Sequence, residues 1–190
     1  MSEQGRVKLR RAEQADIDTI LVWLEDRTFI EFLLGDSATA RTHLREKLVA
    51  LFSQGASVLA GTSFYLIHHD GQGLIGVVTI QNLAWRNRLC RFDLHVVETV
   101  RSVDMERACL HAVFRHVFGE MNLHRVTREV RASQTTAIEL LEEAGATREA
   151  VLRGHALVNG RPEDVYAYGM LQTEYRGFDN ASATHAAQGG

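Results

Sequence analysis

Cysteine is scarce in this chain of 190 residues, which has only Cys90 and Cys109. Neither belongs to a CxxC or Cys/His cluster, which excludes a disulfide scaffold and argues against a structural zinc site. His68-His69 beside Asp70 has no third ligand within sequence reach, so no metal is expected. An excess of charge is also missing. The net charge of -3 provides no global basic field to hold nucleic acid or anionic lipid, and neither partner is expected. No long apolar run follows the polar stretch from Met1 to Arg11, so the expectation is a chain with no signal peptide or membrane anchor, placed in a reducing cytoplasm. Lysine is nearly absent, Lys8 and Lys47 being the only two among 21 basic residues. The arginines suit phosphate or carboxylate recognition, although genomic base composition accounts for them as well.

What is present reads as one domain with a sizeable core, since 45% of the residues are hydrophobic and 24% charged. Val7-Lys8-Leu9-Arg10 alternates as a strand, and Asp16 can cap a helix whose inner face carries Ile17, Ile20, Leu21 and Leu24. A second helix is expected from Ser37 to Gln54. Between them the segment from Thr28 to Gly35, with Phe29 and Phe32, either lines a ligand groove or packs in the core. Ser63 to His68 and Leu74 to Ile80 form a hairpin around Asp70-Gly71-Gln72-Gly73, and Arg88 to Val97 alternates as the next strand. A helix starting near Ser102 or Asp104 carries Leu110, Val113, Phe114, Val117 and Phe118. A strand from Leu123 to Val130 and a helix from Ser133 to Ala144 follow, the helix closed by Gly145. Two strands, Ala150 to Val158 and Asp164 to Leu171, bracket the turn Asn159-Gly160. The expected domain is 1–173, with 174–190 a disordered tail.

This order, with Val7-Lys8-Leu9-Arg10-Arg11-Ala12, Leu74-Ile75-Gly76-Val77, Phe118-Gly119-Glu120-Met121-Asn122-Leu123-His124-Arg125-Val126, and Ala137-Ile138-Glu139-Leu140-Leu141-Glu142-Glu143-Ala144-Gly145-Ala146, resembles the GNAT superfamily of N-acyltransferases. The C-terminal cadence is similar to the branch of ribosomal-protein alanine N-acetyltransferases. The resemblance implies an α+β fold: a mixed, mostly antiparallel sheet of seven strands flanked by about four helices. It also implies acetyl-CoA or another acyl-CoA as donor and an amine of a small molecule or peptide as acceptor. A homodimer is compatible with it.

The resemblance further implies that Val96, Val97, Arg101, Ser102, Val103, Asp104, Met105, Glu106 and Gln134 meet the cofactor. In the family the diphosphate sits on free amides at a helix N-terminus, in a loop of pattern Arg/Gln-x-x-Gly-x-Gly/Ala. Here the loop is Arg101-Ser102-Val103-Asp104-Met105-Glu106. Asp104 and Glu106 replace small residues and bring negative charge to a phosphate site. Either they occupy that anion site themselves, or they are ordinary first-turn acids facing solvent. Gln134 stands where Asn is usual, Leu141 where a Tyr often supplies the thiolate proton, and Ala146 where Phe is usual.

Arg91, Asp93 and His95 share one face of their strand. Asp93 and His95 are the candidate acid/base pair; a solvated face with Arg91 pairing Asp93 is the alternative. Trp85 either stacks on a substrate, alongside Phe29, Phe32 and Arg91, or packs in its loop. The expected activity is N-acyl transfer from acyl-CoA. Its alternative is a GNAT-fold protein that has lost conventional acetyl-CoA binding and serves as a binding or accessory protein, or as a catalyst independent of coenzyme A.

Overall fold

Alternating apolar residues build a sheet that wraps one long central helix, and a computed structural model describes this for residues 6–23, 58–59 and 62–175. The strands are β1 (Val7–Arg11), β2 (Val58–Leu59), β3 (Thr62–His69), β4 (Gly73–Ala84), β5 (Leu89–Val96), β6 (Arg125–Arg131), β7 (Thr147–Val158) and β8 (Arg161–Leu171). Seven of them run in the order β1-β3-β4-β5-β6-β8-β7, and the short β2 pairs with β3 outside this path. The helices are α1 (Ile17–Trp23), α2 (Val103–Phe114), which continues as a π-helical stretch over Arg115–Glu120, and α3 (Thr135–Glu143). Among the described residues no helix is long and apolar enough to cross a membrane. The expected helix from Ser37 to Gln54, and Phe29 and Phe32, lie outside the described residues.

Neighbouring strands are antiparallel except β5 and β6. Those two are joined through α2, a crossover of the kind a parallel pair requires. Their register covers only Leu89↔Arg125, Cys90↔Val126 and Arg91↔Thr127. Beyond that rung both strands continue and no longer pair, so the sheet opens as a fork.

The core lies between the sheet and α2. Phe92 meets Phe114 edge to face at 5.8 Å, and Phe114 stacks on Phe118 at 6.0 Å. Such pairs add roughly 1 kcal/mol beyond their area burial. Tyr175 packs against Phe114 and Phe118, and the carboxylate of Glu174 accepts the Leu171 N–H, so both residues belong to the packed body.

Local chemistry sets the element ends. Ser102 Oγ accepts the Met105 N–H at 3.1 Å and caps α2. Asn159 and Gly160 have φ of 51° and 75°, the left-handed pair of a tight hairpin turn. Asp16 lies in a 3-10 turn (Gln14–Asp16) ahead of α1. Its carboxylate accepts both Arg10 guanidinium nitrogens and the Glu13 N–H, fixing α1 to the first strand.

His111 on α2 faces the rings of Phe114 and Tyr175, each at 6.4 Å. Burial, aided by the Arg115 and Arg107 charges and opposed by Glu143, pushes its pKa down to about 4. The unfolded chain takes up this proton near pH 6.5, and the folded chain takes it up only near pH 4. Stability is therefore expected to fall as pH drops through that window, by no more than about 3 kcal/mol from this group. Urea unfolding at pH 7 and pH 4.5 of the wild type and His111→Leu checks it: the variant should lose less stability on acidification, and an equal loss in both would remove the assignment.

Candidate functional site

The fork between β5 and β6 holds a cleft of about 700 Å³. Its walls include Asp93, Leu94, His95 and Val96 from β5, Arg101, Glu106 and Leu110 from the loop and α2, and Arg128 and Arg131 from β6. Gln134 and the first residues of α3 close it. Val97 donates its N–H to Ile75 O on the β4 side. By strand alternation the polar backbone groups of Leu94 and Val96 then point the other way, into the cleft. Val96 O shows this direction directly, because the Arg101 guanidinium donates to it at 2.8 and 3.2 Å.

The mouth is the start of α2. The Val103 and Asp104 amides precede any intrahelical acceptor, and the Met105 N–H is taken by Ser102. Two free amides on a positive helix end form an anion cradle. Arg101 stands beside it, held by Glu98 at 2.9 Å and by Glu106 at 3.4 Å.

The two acids of this loop separate. The Asp104 side chain is 87% exposed and pairs with Arg107, so it faces solvent and does not fill the anion site. Glu106 is 22% exposed and lines the cleft against Arg101. The helical period accounts for the difference: Glu106 lies on the stripe of Leu110, Val113 and Phe114, whereas Asp104 is two residues, about 200°, away.

Deeper in the cleft, the Asp93 side chain is 25% exposed, with Arg91 at 3.6 Å and the Gln81 amide at 3.4 Å. Burial raises its carboxyl above the usual range, opposed by the Arg91 and Arg128 charges. His95 is 5% exposed and lines the same cleft.

Of the residues singled out from sequence, the fork brings together Asp93, His95, Val96, Arg101, Glu106 and Gln134. Gln134 Oε1 accepts the Arg131 N–H at 2.9 Å. Four others are placed elsewhere. Val97 is buried with its N–H committed to β4, and Met105 packs against the core. Arg91 is engaged with Asp93 and, at 3.0 Å, with Glu129, and is not part of the cleft wall. Trp85 is 63% exposed on the β4–β5 turn, at the closed end of the β5–β6 pair, and cannot stack on a ligand in the fork.

Arg128 was not among the sequence candidates. Its signal was a charged residue at the inward register of β6, between the buried Val126 and Val130.

Residues 6–147 match the family model described as an acetyltransferase (GNAT) domain. A spermidine N(1)-acetyltransferase from Vibrio cholerae is 24% identical over 111 residues, 58% of this chain and 64% of that protein, so the alignment spans less than two thirds of that relative. An uncharacterized N-acetyltransferase p20 from Bacillus licheniformis is 20% identical over 172 residues, 90% of this chain and 96% of that one. The crystal structure of spermidine N-acetyltransferase from Vibrio cholerae in complex with CoA and spermine superposes with a TM-score of 0.75 at 21% identity, covering 92% of this chain and 99% of that chain.

Proposed function

Because the chain belongs to the GNAT acetyltransferase family, we propose that it moves an acyl group from an acyl-CoA to the amine of a small molecule. The observation that carries this reading is the β5–β6 fork with two free helix-start amides at its mouth. An acyl-CoA supplies the activated carbonyl, and the residues present fit it. The Leu94 backbone and the Val96 N–H offer a strand edge to a pantetheine amide, while Val96 O is held by Arg101, and the Val103 and Asp104 amides beside Arg101 suit a diphosphate.

His95 and Asp93 accept a proton from the incoming ammonium, because only the neutral amine is nucleophilic. A carboxyl raised by burial is better matched to that task near neutral pH. The nitrogen–carbonyl bond then forms as the carbon–sulfur bond breaks, and the acylated nitrogen loses its second proton to the departing thiolate. Leu141, at the place where a tyrosine often donates that proton, is buried and cannot.

The spermidine-acetylating relative supports a polyamine as the acceptor. Thiol release from acetyl-CoA in the presence of spermidine and simpler primary amines tests the reading. Turnover with at least one amine is the expected result; no thiol release, together with no coenzyme A binding by calorimetry, would overturn it.

One observation favours the other reading, a GNAT-fold protein without conventional cofactor binding: Glu98 and Glu106 both hold Arg101. Glu106→Gln distinguishes the two. Removing a carboxylate from the cleft wall frees the guanidinium and removes a repulsion worth on the order of 1 kcal/mol or more at an effective dielectric near 20. Coenzyme A affinity is expected to rise at least about fivefold in calorimetric titration. An unchanged affinity would show that Glu106 does not oppose the diphosphate.

A further inference from the structure

Arg128 is the most unusual group in the cleft. It is 9% exposed and sits on β6 one residue past Thr127, the last residue paired with β5, so it marks the closed end of the fork. Its guanidinium makes no hydrogen bond to any described residue; Nε is buried without a partner. Its carbon Cζ lies 5.6 Å from the Phe92 ring centroid. Asp93 and Glu106 act on it only through space, and burial pulls its pKa below the usual arginine value. The nearby carboxylates are already engaged, Asp93 with Arg91 and Glu106 with Arg101.

A buried guanidinium without direct partners is costly, and folded chains ordinarily pair such a charge or neutralise it. A guanidinium cannot be neutralised at any ordinary pH. Three arginines and two carboxylates line the cleft, so its lining as a whole has one positive charge in excess. A flat fork of N–H donors suits a carboxylate, which it binds through two parallel hydrogen bonds.

We propose that Arg128 receives a carboxylate at the far end of the donor's acyl chain, so that the cleft takes ω-carboxyacyl donors of the succinyl type in preference to neutral acyl groups. This rests on the acyl transfer proposed above. The anion cradle at the start of α2 holds the phosphate end of the donor at the mouth, which directs the acyl end toward the closed end of the fork, where Arg128 stands. The transfer is the same in bonds and protons as with an acetyl donor: the amine nitrogen bonds to the acyl carbonyl, the thiolate leaves with the nitrogen's proton, and the product amide keeps the free carboxylate.

Calorimetric titration of the full chain with coenzyme A, butyryl-CoA and succinyl-CoA tests this, butyryl being the neutral counterpart of similar length. Succinyl-CoA is expected to bind at least about tenfold tighter than butyryl-CoA. In Arg128→Met, which keeps an unbranched apolar stem, the preference should shrink to within about twofold while coenzyme A itself binds as before. Arg128→Lys, which keeps charge and loses the fork, should retain part of the preference. Wild-type protein that binds coenzyme A and butyryl-CoA but favours succinyl-CoA no more than butyryl-CoA would overturn this inference and leave the acyl-transfer reading standing. A preference surviving in Arg128→Met would also overturn it. Failure of all three ligands to bind would overturn both.

Discussion

His95→Ala is expected to lower acyl-transfer turnover by roughly 10²- to 10⁴-fold, the span that a positioned acid/base group contributes. His95 is buried at the cleft wall beside Asp93, so its imidazole loses its effect on the amine when truncated, while the Leu94 and Val96 backbone edge proposed for the donor stays in place. Donor affinity should change less than about threefold, which separates loss of a proton acceptor from loss of the site. Truncation also leaves a void, at a stability cost of about 1–3 kcal/mol. Thermal unfolding alongside initial rates measures both. Asp93→Asn should follow the same pattern with a smaller loss, because it removes the charge and keeps the shape. Turnover within threefold of wild type in His95→Ala, at matched folded concentration, would return this strand face to a structural role.

Gly76→Ala is expected to destabilise the fold by about 2–4 kcal/mol, a shift of roughly 5–15 °C in Tm. Gly76 sits on β4 opposite Val96, and a Cβ there would lie 2.3 Å from the His95 carbonyl oxygen and 3.2 Å from Val96 Cα. Both are backbone atoms of β5, so no side-chain rotation relieves the clash and the strands must part. The same strand forms the cleft edge. Coenzyme A affinity should therefore fall together with Tm, whereas a destabilising core change far from β5, such as Ile20→Val, should lower Tm alone. An unchanged Tm in Gly76→Ala would mean that β4 and β5 shift freely, and the rigid edge assumed for donor binding would be wrong.

The two acids at the start of α2 face different surroundings, Asp104 the solvent and Glu106 the cleft. Position in the loop made Asp104 and Glu106 equivalent. The helical period separates them, because Glu106 continues the stripe that Leu110 and Phe114 bury and Asp104 does not. Arg128 was legible in the same way, as a charge at the inward register of an alternating strand. Trp85 was placed by its neighbours in sequence, and a turn between β4 and β5 has no means of announcing which end of the strands opens.

The chain's own pattern determined its elements: alternation gave the strands, Ser102 and Gly145 the helix ends, and Asn159-Gly160 the last hairpin, because each depends on residues a few positions apart. Whether two strands separated by a whole helix pair along their length or stop after three rungs depends on contacts across the sheet, which no local pattern encodes. That these two strands lie side by side and splay apart is what the family resemblance implies; the tertiary structure decided where, after Arg91 and Thr127. That parting leaves Arg128 buried with no hydrogen-bond partner for its Nε among the described residues, commits Arg101 to Val96 O, and turns a set of ordinary residues into a cleft.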